Sequence, residues 1–490
     1  MSFSGGFVGG PIKGITQDIR DLPNYKEPSA FQDAAGQSGA AAGAAAGAGA
    51  GGGGKKPLTS KNAEDSDLKK CSIQSNDGSK IMDLGDGITG LFFYESLFEE
   101  TCRCTITYGD TGSSEIAEGK SIIDVFPLVG TERINLELED ALGEKLEFEF
   151  FADRIQPVSQ EVSSNLITIT AAGEEFYNNQ NERVTTRFDG KISDAVEKIL
   201  KDVLKTNKKL DVEMTGNPFN FQGNNRKALW TLNWLQQRAV PENSNPGESA
   251  GFFLYQTGAK KGTWCFKSIE SLMKQEPKKK FLFNESPDKS EEDVPPGYDG
   301  KVQASEDEGT NSVKDHQEAG ANAGRVVTFD PFNCHYEIIE TNKDKIKPEN
   351  AGKEPPKFNP KFKIGEKSTK TTYMLIDKGT LPTGDSDQQI EKSREQNFKP
   401  QDTLSQSKMR MNQMFSIKKS ITIPADFSLH VGDAILLDTP EVATKETKEV
   451  NPQSGGIYII SDLCHQMTGQ PPKTWTKLNL VRDSYGRKPQ

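Results

Sequence analysis

Cys464 and His465 stand side by side at the end of the apolar run Ile457 to Ile460, and both residue types bind metals and activate nucleophiles. A second pair, Cys334-His335, and the triplet Cys102-Arg103-Cys104 are the other places where such groups are close in sequence. The spacing argues against a joint site. Neighbours on a strand point to opposite faces, so Cys464 and His465 face one ion only across a bulge, whereas Cys102 and Cys104 share a face. The expectation is that the cysteines are small core residues and the histidines hydrogen-bonding groups near strand ends, with no metal and no cofactor.

Other chemistry is no better supported. GxSxG, GxxxxGK[ST] and HExxH are absent, and "SSEIAEGKS" has Ser114 where a phosphate loop requires its first Gly. His316 lies in a polar stretch and His430 before a turn. The carboxylate pairs Glu99-Glu100 and Glu174-Glu175 read as solvated surface, and Trp230, Trp234 and Tyr255 as packing residues. No catalytic residue is assigned, and the chain is not expected to be an enzyme; a metal-dependent hydrolase using the Cys and His residues is the reading set against this.

Those residues must be held by elements of a chain of 490 residues, 33% hydrophobic and 27% charged, which puts much of its length in solvated loops. A formal net charge of -11 gives no general field for phosphates, so tight nucleic-acid binding is not expected. The absence of a long apolar run or of a basic, apolar leader predicts no membrane insertion and a cytosol-like place of synthesis, where thiols stay reduced.

Residues 1–66 read as an N-terminal arm, with Phe3, Phe7, Ile12 and Ile15, followed by a Gly/Ala-rich linker. Alternating runs such as "TCRCTITYG", "RINLELED" and "KLEFEFFAD" predict a first small β-barrel over 67–171. An α/β domain over 172–285 follows. "SDAVEKILKDVLK" forms a helix with a Ser193 cap, and "NNRKALWTLNWLQQRAV" a helix that stops at Pro241. The aromatic hairpin "GFFLYQTGAKKGTWCFKS" and the short helix "IESLMKQ" complete it. Residues 286–324 read as a polar loop, and 343–412 as an insert with a loop and a helix. The insert divides a second β-barrel, 325–342 and 413–486.

The two β regions can be superposed as sequence. "FPLVGTERINLELED" matches "FSLHVGDAILLDTPE" with one inserted residue, pairing Gly130 with Gly432. "FEFFADRIQ" matches "IYIISDLCH", pairing Asp153 with Asp462 and Gln156 with His465. Upstream, "FEETCRCTIT" lies over "FDPFNCHYEII". The fold class is therefore mainly β with α+β parts: two similar small barrels flanking a helix-plus-hairpin domain, with long loops.

In this order of parts, in "ALWTLNWLQQRAV" with its following hairpin, and in "SKMRMNQMFSIKKSITIP", "VGDAILLD", "YIISDLCHQM" and "WTKLNLVRDS", the chain resembles the baseplate central hub proteins of contractile-tailed phages. The same group includes the N-terminal half of type VI secretion spike proteins. Gly432, His465 and Trp475 match the family's turn Gly, strand-end His and aromatic-led last strand. The resemblance implies a structural virion protein of the tail baseplate, assembled in the host cytoplasm. It further implies a homotrimeric ring with two quasi-equivalent barrels per chain, joining a trimeric central spike protein to the six-fold tail tube. Tube-initiator and baseplate wedge proteins are the other implied partners, and passage of DNA through the ring the implied role. A binding module of a related secretion or adhesion machine is the second reading.

Overall fold

The computed structural model describes residues 66–488, apart from 113–120, 127, 161–164, 217, 243–250, 284–296, 308–311, 332–333, 343–347, 376–379, 381–383, 390–399, 441–450, 452 and 470–472. The arm and linker expected over 1–66 lie, but for Ser66, outside the described residues.

The first seven strands are β1 (Asp67–Gln74), β2 (Ile81–Asp83), β3 (Ile88–Ser96), β4 (Arg103–Asp110), β5 (Arg133–Glu139), β6 (Lys145–Gln160) and β7 (Asn165–Ala172). They pair antiparallel in the order β3-β4-β7-β6-β5-β1-β2. Period-two alternation decides which face is buried. Cys104 and Ile106 of β4, Ile134 and Leu136 of β5, and Phe148 and Phe150 of β6 turn into one core.

Next come β8 (Arg187–Phe188), β9 (Lys209–Val212), β10 (Phe221–Gln222), β11 (Phe252–Thr257) and β12 (Thr263–Ser268), with helices Glu174–Asn181, Ile192–Lys198, Ala228–Gln236 and Ile269–Lys274. β11 and β12 form the expected hairpin, and β9 joins β12 in parallel. Leu229, Leu232 and Leu235 of one helix share a core with Val196 of another, with Ile199 just beyond its end, and with Trp264 and Phe266. Ser193 is not the cap: the helix starts after Lys191, and the buried Ser193 backbone N–H donates to Thr215 Oγ1 at 3.0 Å.

The remaining strands are β13 (Lys279–Phe283), β14 (Gly300–Val302), β15 (Ala304–Asp307), β16 (Ala323–Asp330), β17 (His335–Asn342), β18 (Lys370–Leu375), β19 (Ile417–Pro424), β20 (Ala434–Asp438), β21 (Gly456–Thr468) and β22 (Lys473–Arg482). Seven of them pair in the order β15-β19-β22-β21-β20-β13-β14. This is the spatial order of the first unit. The directions agree for the first five; β13 then pairs in parallel with both β20 and β14, where β1 pairs antiparallel with both β5 and β2. The second unit has its own core, with Ile421, Ile435, Leu437, Ile460, Leu478 and Leu480. β3 pairs with β21, so the two units form one 14-stranded sheet. Among the described residues no strand pairing closes either unit into a barrel.

Several sequence expectations change. Residues 325–342 do not belong to the second unit: β16 and β17 pair with β18 in a separate three-stranded sheet backed by helix Pro400–Met414. The stretch 286–324, read as a loop, contains β14, β15 and helix Val313–Ala319, and β13 leaves the α/β domain for the second unit. "FDPFNCHYEII" is therefore not the counterpart of "FEETCRCTIT". The counterpart of β4 is β19, with Ile106 and Ile421 at matching places and both fully buried. The turn alignment needs no inserted residue. Thr131 N–H donates to Ala152 O at 2.7 Å and Gly432 N–H to Ile460 O at 2.9 Å, so Thr131, not Gly130, stands where Gly432 does. Both have left-handed backbones, φ 70° and 87°. A bulge interrupts β6 between Ala152 and Arg154 and β21 between Ile460 and Asp462. Aligning the bulges puts Arg154 at the place of Asp462, and Pro157 rather than Gln156 at that of His465.

Candidate assembly surfaces

The thiol and imidazole groups do not converge. Cys464 and His465 lie in β21, while His335 opens β17 in the separate sheet. All six cysteines are free, and only Cys334 is exposed. Burial pushes the Cys464 thiol up to about 12 and raises Cys102 and Cys104 well above the usual range, which suppresses the thiolate needed for nucleophilic or metal chemistry. His465 is fully buried between Phe93 and Phe427, with its Nδ1 2.9 Å from Thr476 Oγ1. Burial lowers its pKa to about 4, so it is a neutral core residue. Among the described residues no group of three or more Cys, His, Asp or Glu side chains is placed to hold a metal.

Two polar residues expected at the surface or in a turn are connectors, Glu175 buried and His430 partly buried. Glu175 is 2% exposed at its side chain and ion-paired to Lys208 at 2.7 Å, because the first turn of helix Glu174–Asn181 sends it inward and leaves Glu174 outside. His430 lies 3.0 Å from the fully buried carboxylate of Glu95, which also accepts from Val431 N–H at 3.0 Å and Gly258 N–H at 2.6 Å. Burial raises the Glu95 pKa, but His430 and the backbone donors outweigh it and hold the group charged. One side chain of β3 thus ties the first unit to the turn before β20 and to the β11–β12 hairpin. The one hint in the sequence is a Glu within an apolar strand, "LFFYES".

The β3–β21 joint is the most informative surface. β21 spans two partners along one edge: Ala434–Leu437 of β20 pair with Gly456–Ile459, and β3 then covers Asp462–Thr468. Ser96 Oγ donates to Asp462 at 2.6 Å across the joint. In the first unit β5 covers Lys145–Phe151 of β6, and beyond it that edge has no strand partner among the described residues. The residues there, Arg154, Gln156, Pro157 and Val158, are exposed. At the other end of the sheet β15, the counterpart of β3, pairs among the described residues only with β19. The three-stranded sheet also leaves Phe329, Tyr336, Ile338, Tyr373 and Leu375 exposed on one face.

These features define a fold: a duplicated seven-strand unit whose sheet edges are incompletely paired among the described residues. No protein-family model matches the chain, and no curated protein does. Similar solved structures are tail and secretion proteins. The 43 kDa tail protein of prophage MuSo2 from Shewanella oneidensis is similar over 85% of this chain and 98% of its own, with 10% identity and TM-score 0.47. A tail protein from Neisseria meningitidis MC58 gives 84% and 96%, with 8% identity and TM-score 0.47. The E. coli c3393 protein, a type VI secretion component described as similar to the T4 bacteriophage tail proteins gp27 and gp5, gives 87% and 79%, with 6% identity and TM-score 0.38.

Proposed function

We propose that the chain is a baseplate hub protein of a phage tail: three copies form a ring that joins a three-fold spike to a six-fold tube. The observation that carries this reading is the seven-strand unit repeated in one spatial order and joined edge to edge. Three copies supply six such units, while everything present once per chain repeats three times. A single ring then offers both symmetries, and its role is shape and contact rather than turnover. The spike protein would bind one face, and tube-initiator and wedge proteins the other surfaces. The acidic balance, -11, suits a channel that DNA crosses without adhering.

Light scattering on the purified protein at micromolar concentration tests the reading. A trimer is expected at about three times the 53.9 kDa chain mass. A stable monomer that stays monomeric at every concentration and on mixing with the cognate spike protein would overturn it.

A further inference from the structure

The joint inside the chain is a template for a joint between chains. In it, the strand that follows the bulge of one unit receives the first-edge strand of the other, with Phe93 opposite His465 and Phe92 opposite Gln466. Among the described residues each partner has a counterpart with an open edge: β15 on the side away from β19, and β6 beyond Phe151. β15 is matched to β3 through their common neighbours: Glu306 faces Ser420 and Asp307 faces Lys419 in β19, as Phe92 faces Thr105 and Phe93 faces Cys104 in β4. β6 is matched to β21 through the aligned bulges, which puts Pro157 at His465 and Val158 at Gln466.

We propose that β15 of one copy adds to the outer edge of β6 in a second copy, antiparallel, with Asp307 opposite Pro157 and Glu306 opposite Val158. This rests on the ring reading above and names the surfaces that close the ring. The contact is heterologous, so repetition gives a closed ring when the rotation between copies is a whole fraction of a turn, as the ring reading requires. Two features suit these partners. From Arg154 to Val158 the edge of β6 carries one positive charge and no carboxylate, and β15 brings the exposed Glu306 and Asp307. Pro157 withholds a donor, and a second register break falls between Pro157 and Ser159, so only a short strand fits and indiscriminate sheet extension is blocked. The short edge is consistent with β15 having four residues where β3 has nine.

Cross-linking tests the register. Directly opposed residues in an antiparallel pair have Cβ atoms about 4.5–5.5 Å apart, within disulfide reach. In a Cys334→Ser background, which removes the exposed thiol, Val158→Cys with Glu306→Cys is expected to form disulfides between copies on oxidation, seen as dimer and trimer bands without reductant. Val158→Cys with Ser305→Cys, whose side chain points to the other face, is the control and is expected to link at least tenfold less. In the oligomer, Val158→Glu, which sets a carboxylate opposite Glu306, is expected to raise the concentration for half-dissociation about tenfold, and Val158→Glu with Glu306→Lys to restore it. A trimer by light scattering whose paired cysteines stay reduced, and which ignores Val158→Glu, overturns this joint and leaves the ring reading standing. A monomer under all conditions overturns both.

Discussion

At the scale of single residues, the buried His465 and the partly buried His430 impose opposite pH dependences. Burial lowers His465 to about 4, against about 6.5 in an unfolded chain. Its protonation therefore favours unfolding, and stability present above pH 6.5 is lost as pH falls toward 4, by about 3 kcal/mol at most. For His430 burial also lowers the pKa, but the Glu95 carboxylate outweighs it and holds the group above its ordinary value. That contribution is complete below about pH 6.5 and is lost as pH rises through the raised value. The Glu95 carboxylate, held below its ordinary value, contributes above about pH 4.5 and stops contributing as pH falls through its folded pKa. Replacing His465 by Leu keeps an apolar filling between Phe93 and Phe427 and removes the first effect. The drop in stability from urea denaturation between pH 7 and pH 4.5 should shrink by about 2–3 kcal/mol relative to the unaltered protein; an unchanged drop would mean that His465 is not the group that titrates.

At the scale of elements, the turn before β20 carries a sharp expectation. Gly432 has φ 87°, and a Cβ there would lie 2.3 Å from the Tyr255 hydroxyl, so Gly432→Ala should cost about 2 kcal/mol or more by thermal or urea denaturation. A loss under 0.5 kcal/mol, on the order of a surface substitution, would show the hairpin yielding instead. Most strands of both units were legible, because alternation such as "RINLELE" and "TKLNLV" reports a half-buried strand directly. β15 was not. "ASED" has poor strand propensity, and its pairing with β19 is set by a partner more than a hundred residues away in sequence, which no local pattern encodes. The separate sheet misled for the converse reason: "HYEIIETN" has the alternation of a strand of the second unit, and alternation does not say which sheet a strand joins. The buried links of Glu95 and Glu175 were hidden too, since a carboxylate in sequence carries no mark of the partner that neutralises it.

At the scale of the whole molecule, the two units are not independent bodies. Ala425, Phe427 and Met467 from the second half enter the first core, and Leu97 from the first enters the second, alongside Phe253 and Tyr255 of the hairpin. Calorimetry should therefore give one transition for the 14-stranded sheet, with calorimetric and van't Hoff enthalpies that agree. Two resolved transitions would show that the joint does not couple the halves. The aligned bulges, the matched burial of Ile106 and Ile421 and the shared strand order make the duplication legible in space well beyond what about a dozen similar letters allowed in sequence.

The separate sheet and its helices enter the chain between β15 and β19, where the first unit has only the short turn from Ser96 to Arg103. That position governs the order in which the molecule matures. β3 meets β4 by closing a loop of a few residues, whereas β15 meets β19 only once a long intervening segment has folded and brought its ends together. During refolding, pulsed hydrogen exchange should protect the β3 amides before those of β15; simultaneous protection would refute the sequence of events. A newly made chain would thus expose its outermost strand in finished form last, and a copy still incomplete would have nothing to offer its neighbour.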